Sequence, residues 1–311
     1  MDNTIKLTLV GDVFLSNMDD TRGIGIGSRI LKDGIEIINK DTIEKLKESD
    51  ILFGNLESPL IDSDELVNMG SFAGSIKFVV ILKELGFDIV SIANNHILEK
   101  GLIGFNSTKN ALQNAHIKHV GVFNENKSNV EIIECKGIKF GFAAFNAIKD
   151  IPNPNIHSDL SLDNVKATID DMNLLQLDYK LLSFHWGNEY IHIPSLEQIN
   201  LAHSVIDYGA DIIIGHHPHV IQPIEKYKNG IIVYSLGNFI FDSLFSKEFK
   251  TGMKVDLHFR KGEAVAFNIS EVILNEDTLN SMQESQKFNA KVTSYCSRIK
   301  SQLLIKNSVS K

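Results

Sequence analysis

The stretch DIIIGHHPHVIQPIE, residues 211–225, runs an apolar segment into three histidines, His216, His217 and His219. Isoleucine is stiff at χ1 and packs well on a pleated surface, so Asp211–Ile214 reads as a buried strand. Imidazole is costly to desolvate without a partner. Three imidazoles where a strand leaves the core therefore read as ligands whose burial a metal ion offsets. If the segment stays extended, His217 and His219 point the same way and His216 points the other.

Working outward, four more apolar runs end in polar residues suited to chemistry. Ile5–Val10 stops at Gly11–Asp12. Ile51–Phe53 leads into Asn55 and Glu57. Asp88–Ala93 ends in Asn95–His96, and Lys180–Phe184 ends at His185. Helical spacing is read over 75–85, 101–115, 161–176 and 195–208. Residues 130–146 read as a hairpin turning at Lys136–Gly137. Residues 230–242 read as one strand broken at Gly237–Asn238, and 255–259 with 264–269 as a late hairpin. Strands alternating with helices, plus hairpins, predict an α/β layered fold with mixed sheets. Residues 1–275 are read as one domain, and the polar stretch 276–311 as a helical tail packed on it or extending from it.

In open α/β sheets, ligands bind beyond the carboxyl ends of the strands. Neighbouring ends would bring Asp, Glu, Asn and His together, a donor mix suiting Mn²⁺, Zn²⁺ or Fe²⁺ better than Ca²⁺. The absence of cysteine from the set argues against a structural zinc site. Singly, each feature has a plainer reading. Gly11–Asp12 is a turn, Asn94–Asn95–His96 a helix cap, and His185–Trp186–Gly187 a packing corner around the only tryptophan. Five such strand ends together favour a site. His116, His119, His157, His192, His203 and His258 are read as surface or satisfied core residues.

The 311 residues are 43% hydrophobic and 23% charged, ordinary values for a globular chain. The net charge of −8 argues against a general nucleic-acid or membrane-surface binder, which needs a positive field. An anionic substrate stays open, because a metal supplies local positive charge. The expected substrate is a small molecule, peptide or polymer; oligomeric state is not legible. Cys135 and Cys296 form no disulfide framework. With no basic, apolar leader and no membrane-length apolar run, a cytoplasmic location is expected.

The motifs GDVFLS, GNLESPL, ANNH, HWGNEY, GADIIIGHHPHVIQPIE and IVYSLGNFIFD occur in the order found in the CapA family of capsule and poly-γ-glutamate synthesis proteins, spanning roughly residues 5–260. That family is similar to the calcineurin-like metallophosphoesterases. The resemblance implies a four-layer α/β/β/α sandwich with mixed sheets and a centre of one or two divalent ions. Carried over by position, Asp12, Glu57, Asn95, His185, His217 and His219 would be metal ligands, with Glu57 bridging two ions. His96 would be the acid or charge stabiliser, its ring held by Glu57, Asp12 or Glu189. Asn55, His216, Glu189 and Asn238 would surround them. Two positions depart from the pattern. Phe14 stands where the wider superfamily carries a ligand histidine, and Glu99 where many relatives carry aspartate. The implied activity is metal-dependent hydrolysis of a phosphoester or γ-glutamyl amide linked to capsule or poly-γ-glutamate biosynthesis. The alternatives are a metal-assisted epimerase on the same fold and a non-catalytic assembly factor for polymer synthesis.

Overall fold

Alternating side chains along the first strand, Ile5–Val13, serve two different cores. Leu7 and Leu9 face a second sheet, while Val10 faces a layer of helices. Its neighbour Ile51–Leu56 divides in the same way, with Ile51 and Phe53 inward and Leu52 outward. Both strands are buried on both faces, which explains their near-continuous apolar runs. The computed structural model describes residues 3–69, 72–124, 127–149, 159–242, 250–261, 263, 265–274 and 281–283.

Among the described residues, the first sheet has eight strands and the second six. From one edge the first runs Ser281–Gln283, Ala266–Ile273, Thr251–Phe259, Ile5–Val13, Ile51–Leu56, Ile89–Ser91 and Lys118–Val120. Asn238–Ile240 pairs with the carboxyl end of Ile5–Val13. The second sheet runs in the order Ile224–Tyr227, Gly230–Val233, Ile212–His216, Tyr179–His185, Ile138–Asn146 and Glu131–Cys135. Its four central strands are parallel, and each edge is closed by an antiparallel hairpin.

Between the sheets, Leu7, Leu9 and Phe53 meet Phe140, Phe142, Leu181, Ile212 and Ile214. Helices Ile26–Asp33, Lys40–Lys47, Val79–Leu85 and Gly101–Asn114 cover the first sheet. Leu162–Leu174 and Leu196–Tyr208 cover the second. The latter starts at a Ser195/Gln198 capping box and stops at Gly209. The layers are helix, sheet, sheet, helix, the architecture the resemblance implies.

Three readings change. Helices Ile26–Asp33 and Lys40–Lys47 were not legible as such, and 75–85 opens with a 3₁₀ turn, Ile76–Phe78. Residues 230–242 are not one broken strand: Gly230–Val233 belongs to the second sheet and Asn238–Ile240 to the first. Ser281–Gln283, within the stretch read as tail, is an edge strand on Ala266–Ile273; 275–280 and 284–311 lie outside the described residues.

The crossing between sheets depends on Gly237 and Gly11. Gly237 turns with φ 65°, and its carbonyl accepts the Asp12 N–H at 2.9 Å. A Cβ on Gly11 would lie 1.9 Å from that carbonyl oxygen. Gly11→Ala is therefore expected to cost about 3 kcal/mol, the upper end for overpacking, because only backbone can yield. Urea denaturation of metal-free protein measures it. A loss below about 0.5 kcal/mol would show that the strands separate freely there.

Candidate metal centre

Strand register builds the centre. In the first sheet, Asp12 lies level with Asn238 on one side and Asn55 on the other, and Asn55 with Ser91. In the second, Asn146, His185 and His216 lie level on adjacent parallel strands. The turns after these strands add Glu57, Asn95, His217 and His219.

Ligand atoms of Asp12, Glu57 and His185 lie within 4.8 Å of one another, as do those of Glu57, His217 and His219. Glu57 is common to both groups. Its Oε1 is 3.6 Å from His185 Nε2 and 3.6 Å from His219 Nε2. Asn95 joins the first group, with Oδ1 2.9 Å from His185 Nε2. The structure therefore brings together all six residues expected as ligands.

Amides set the geometry around them. Asn94 Nδ2 donates to Asn55 Oδ1 at 3.1 Å and to the Leu56 carbonyl at 2.8 Å. That leaves Asn55 Nδ2 to donate to Asp12 Oδ1 at 2.9 Å. Asn238 Oδ1 accepts from His219 Nδ1 at 3.0 Å, which turns His219 Nε2 toward Glu57. Holding the distal nitrogen of a ligand histidine in this way fixes its tautomer.

The histidine run departs from the extended reading. His217 and His219 have φ of 93° and 56°, left-handed values that cost a non-glycine residue roughly 1–3 kcal/mol. The His217 N–H donates to Asp12 Oδ2 at 3.3 Å, and the Pro218 carbonyl accepts from the Tyr190 N–H at 2.8 Å. These bonds hold the turn. His216 does not face away: its Nδ1 donates to Asp12 Oδ1 at 3.0 Å. Alternation fails because the backbone leaves the extended region at His217, so all three imidazoles meet the centre.

His96 is held by a partner other than those expected. Its Nδ1 lies 3.0 Å from Glu99 Oε1, three residues along the same turn, rather than against Glu57, Asp12 or Glu189. Its Nε2 lies 3.3 Å from Asn95 Nδ2. Glu189 is exposed, and its charge reaches Glu57, His217 and Tyr190. His192 Nδ1 donates to the Ile221 carbonyl at 3.2 Å. Residues missed in the sequence are Asn94, Glu99 and Tyr190. Each lies inside or beside a quoted motif, and a second amide or an i,i+3 carboxylate was the available signal.

Electrostatics favour a cation here. Burial, then the charges of Asp12 and Glu189, push Glu57 well above the usual carboxylate range. Burial also pushes Asp12 up, but the His216 hydrogen bond and the nearby imidazoles outweigh it, so Asp12 lies below its ordinary value. Burial and neighbouring histidines hold His185 well below the usual imidazole range. Burial and His219 bring His217 down to about 4. These two imidazoles are thus neutral at pH 7, the form that ligates. Burial and Glu189 push Tyr190 up to about 12. Glu57 Oε1 and His217 Nδ1, both in the second donor group, are buried without a hydrogen-bond partner. Such orphans are rare in native proteins, and a divalent ion fits them and the donor set.

Residues 6–243 match the family described as bacterial capsule synthesis protein PGA_cap. The chain is 30% identical over 292 residues to the capsule biosynthesis protein CapA of Bacillus anthracis, covering 86% of this chain and 68% of that protein. It is 27% identical over 299 residues to the PGA biosynthesis protein CapA of Bacillus subtilis (strain 168), covering 89% and 73%. Among solved structures it is similar to the calcineurin-like phosphoesterase YfkN from Bacillus subtilis, with TM-score 0.52, 17% identity and 99% of each chain covered. It is also similar to a putative 5'-nucleotidase from Staphylococcus aureus, with TM-score 0.55, 15% identity, and 94% of this chain and 58% of that one covered. At these identities the structures carry the fold alone. The family match extends from the first strand past Asn238, taking in the second sheet and every strand end that lines the centre, and the chain belongs to the bacterial capsule synthesis proteins.

Proposed function

We propose that this chain is a metal-dependent hydrolase that cleaves a phosphoester in capsule or poly-γ-glutamate biosynthesis. The observation that carries this reading is Glu57, buried and common to two donor groups, beside a His96–Glu99 pair. Asp12, Glu57, Asn95 and His185 would hold one ion; Glu57, His217 and His219 would hold a second. Such an ion supplies Lewis-acid polarisation of the substrate and a water nucleophile near neutral pH. His216, Asn55 and Asn238 keep the ligands oriented. With Nδ1 turned to Glu99, His96 would turn Nε2 from its 3.3 Å contact with Asn95 Nδ2 to the leaving-group oxygen and give it a proton. Glu99 holds the ring and balances the charge it carries beforehand.

A γ-glutamyl amide is the second reading, favoured by the poly-γ-glutamate (PGA) label in a relative's name. A polymer would reach the centre from the side where Glu189 and Tyr190 are exposed. Among the described residues, no helix is long and apolar enough to cross a membrane.

Purified protein loaded with Mn²⁺ is expected to hydrolyse p-nitrophenyl phosphoesters and to stop when EDTA is added. Turnover of γ-glutamyl p-nitroanilide instead would move the reaction to the amide. Deuterium uptake from solvent into a glutamyl peptide without cleavage would make it an epimerase. Bound metal without turnover of any of these would favour an assembly role.

A further inference from the structure

We propose that Phe72 is a positioning residue that clamps the His96 imidazole by stacking on it, and that its strained backbone is retained for that contact. The inference rests on reading His96 as the proton donor. The two rings lie with centroids 5.0 Å apart and planes 21° apart. The hydrogen bond to Glu99 sets the direction of Nδ1, and Nε2 meets Asn95 Nδ2 only at a long 3.3 Å, so the imidazole can still swing about its Nδ1 contact. A ring stacked on its face removes the swing, so the two constraints together aim Nε2.

The backbone supplies a second observation. Phe72 has φ 52°, a left-handed value that is a genuine outlier for a bulky residue. Such strain persists only where the surroundings over-determine it. Neighbouring rings supply a third. Phe14 is fully buried and meets Phe72 edge-on at 5.6 Å and Phe241 at 5.1 Å. Phe241 in turn lies 4.6 Å from His219. A wall of aromatic rings thus runs from His96 to His219 along one side of the centre. Position 14, where the superfamily resemblance leads one to expect a ligand histidine, buttresses the clamp instead.

The test uses the full chain carrying Phe72→Leu, Phe72→Tyr, Phe72→Ala and Phe72→Gly. The first readout needs no activity. In metal-free protein, the His96 ring protons, assigned by comparison with His96→Asn, are expected upfield under the Phe72 ring current. They should return to ordinary shifts in Phe72→Leu and stay displaced in Phe72→Tyr. Unchanged His96 shifts in Phe72→Leu would overturn the clamp.

The second readout is phosphoester turnover. Phe72→Leu should lose about 10²-fold in kcat on substrates with poor leaving groups, the usual consequence of a reacting group displaced by about 1 Å. KM and metal content should hold, and Phe72→Tyr should recover most of the rate. Full kcat in Phe72→Leu would overturn the proposal. If the wild type turns over no phosphoester, the proposed reaction falls, and the ring-proton shifts alone decide the clamp. The third readout isolates the backbone, since Ala and Gly both lack the ring. Phe72→Gly should melt about 2 °C above Phe72→Ala, reversing the usual order. Equal melting would remove the strain from the proposal.

Discussion

Glu57→Gln should empty both halves of the centre at once. The substitution keeps the shape but removes the one carboxylate common to the two donor groups. Losing an outer partner of a ligand already costs about 10- to 100-fold in metal affinity, so losing this ligand should cost more than about 100-fold. Elemental analysis after dialysis against Mn²⁺ measures it, and unchanged stoichiometry would remove Glu57 from the metal. His217→Ala and His219→Ala should each weaken binding at one half. His216→Ala should do less, because His216 acts through Asp12.

The same variant should have the opposite effect on metal-free protein. Glu57 is pushed well above its ordinary value of 4.5 by burial and then by Asp12 and Glu189. An acid that holds its proton more tightly in the folded state loses stability as pH rises from the unfolded value toward the folded one. In the absence of metal, Glu57→Gln should therefore overtake the wild type in stability as pH rises above 4.5. With metal added near pH 7 the order should reverse, because the ion's charge inverts the local preference. Urea titrations with and without Mn²⁺ check both halves; parallel stability curves would mean that Glu57 is not the strained carboxylate.

His96→Asn should retain its metal and lose about 10²- to 10⁴-fold in rate, the usual size of a general-acid contribution. The loss should shrink for substrates whose leaving groups need no proton. Asn95→Ala should show the complementary pattern, with weakened metal binding and partial rescue by excess metal. Its Oδ1 points at His185 Nε2, whereas His96 turns to Glu99. Kinetics on an aryl phosphoester series, with metal analysis of each variant, separate the two. Loss of metal from His96→Asn while Asn95→Ala keeps it would reverse the assignment.

How far the sequence carried can be traced at particular residues. Strand ends were legible because β-branched runs and their polar stops are local features. Asp12, Asn55, Asn95, His185 and His216 each follow an apolar stretch short enough to read directly. The helices opened by Ser161 and Ser195 were legible for the same reason, since caps and 3.6-residue spacing act within a few positions. Contacts made across the chain were not. Nothing near Tyr234 or Gly237 says that Gly230–Val233 and Asn238–Ile240 enter different sheets. That division depends on Gly11, more than two hundred residues earlier, leaving room for a carbonyl.

By itself, then, the sequence determined a layered α/β chain with five chemically equipped strand ends, because burial and strand propensity are written residue by residue. Only the tertiary structure decided which ends share a row, that His216 joins His217 and His219 at the centre, and that Glu99 rather than Glu57, Asp12 or Glu189 holds His96. It also decided that Phe14 buttresses an aromatic wall. These follow from strand register, left-handed turns at His217 and His219, and ring contacts between distant segments. All depend on where the chain returns in space, which no local pattern encodes.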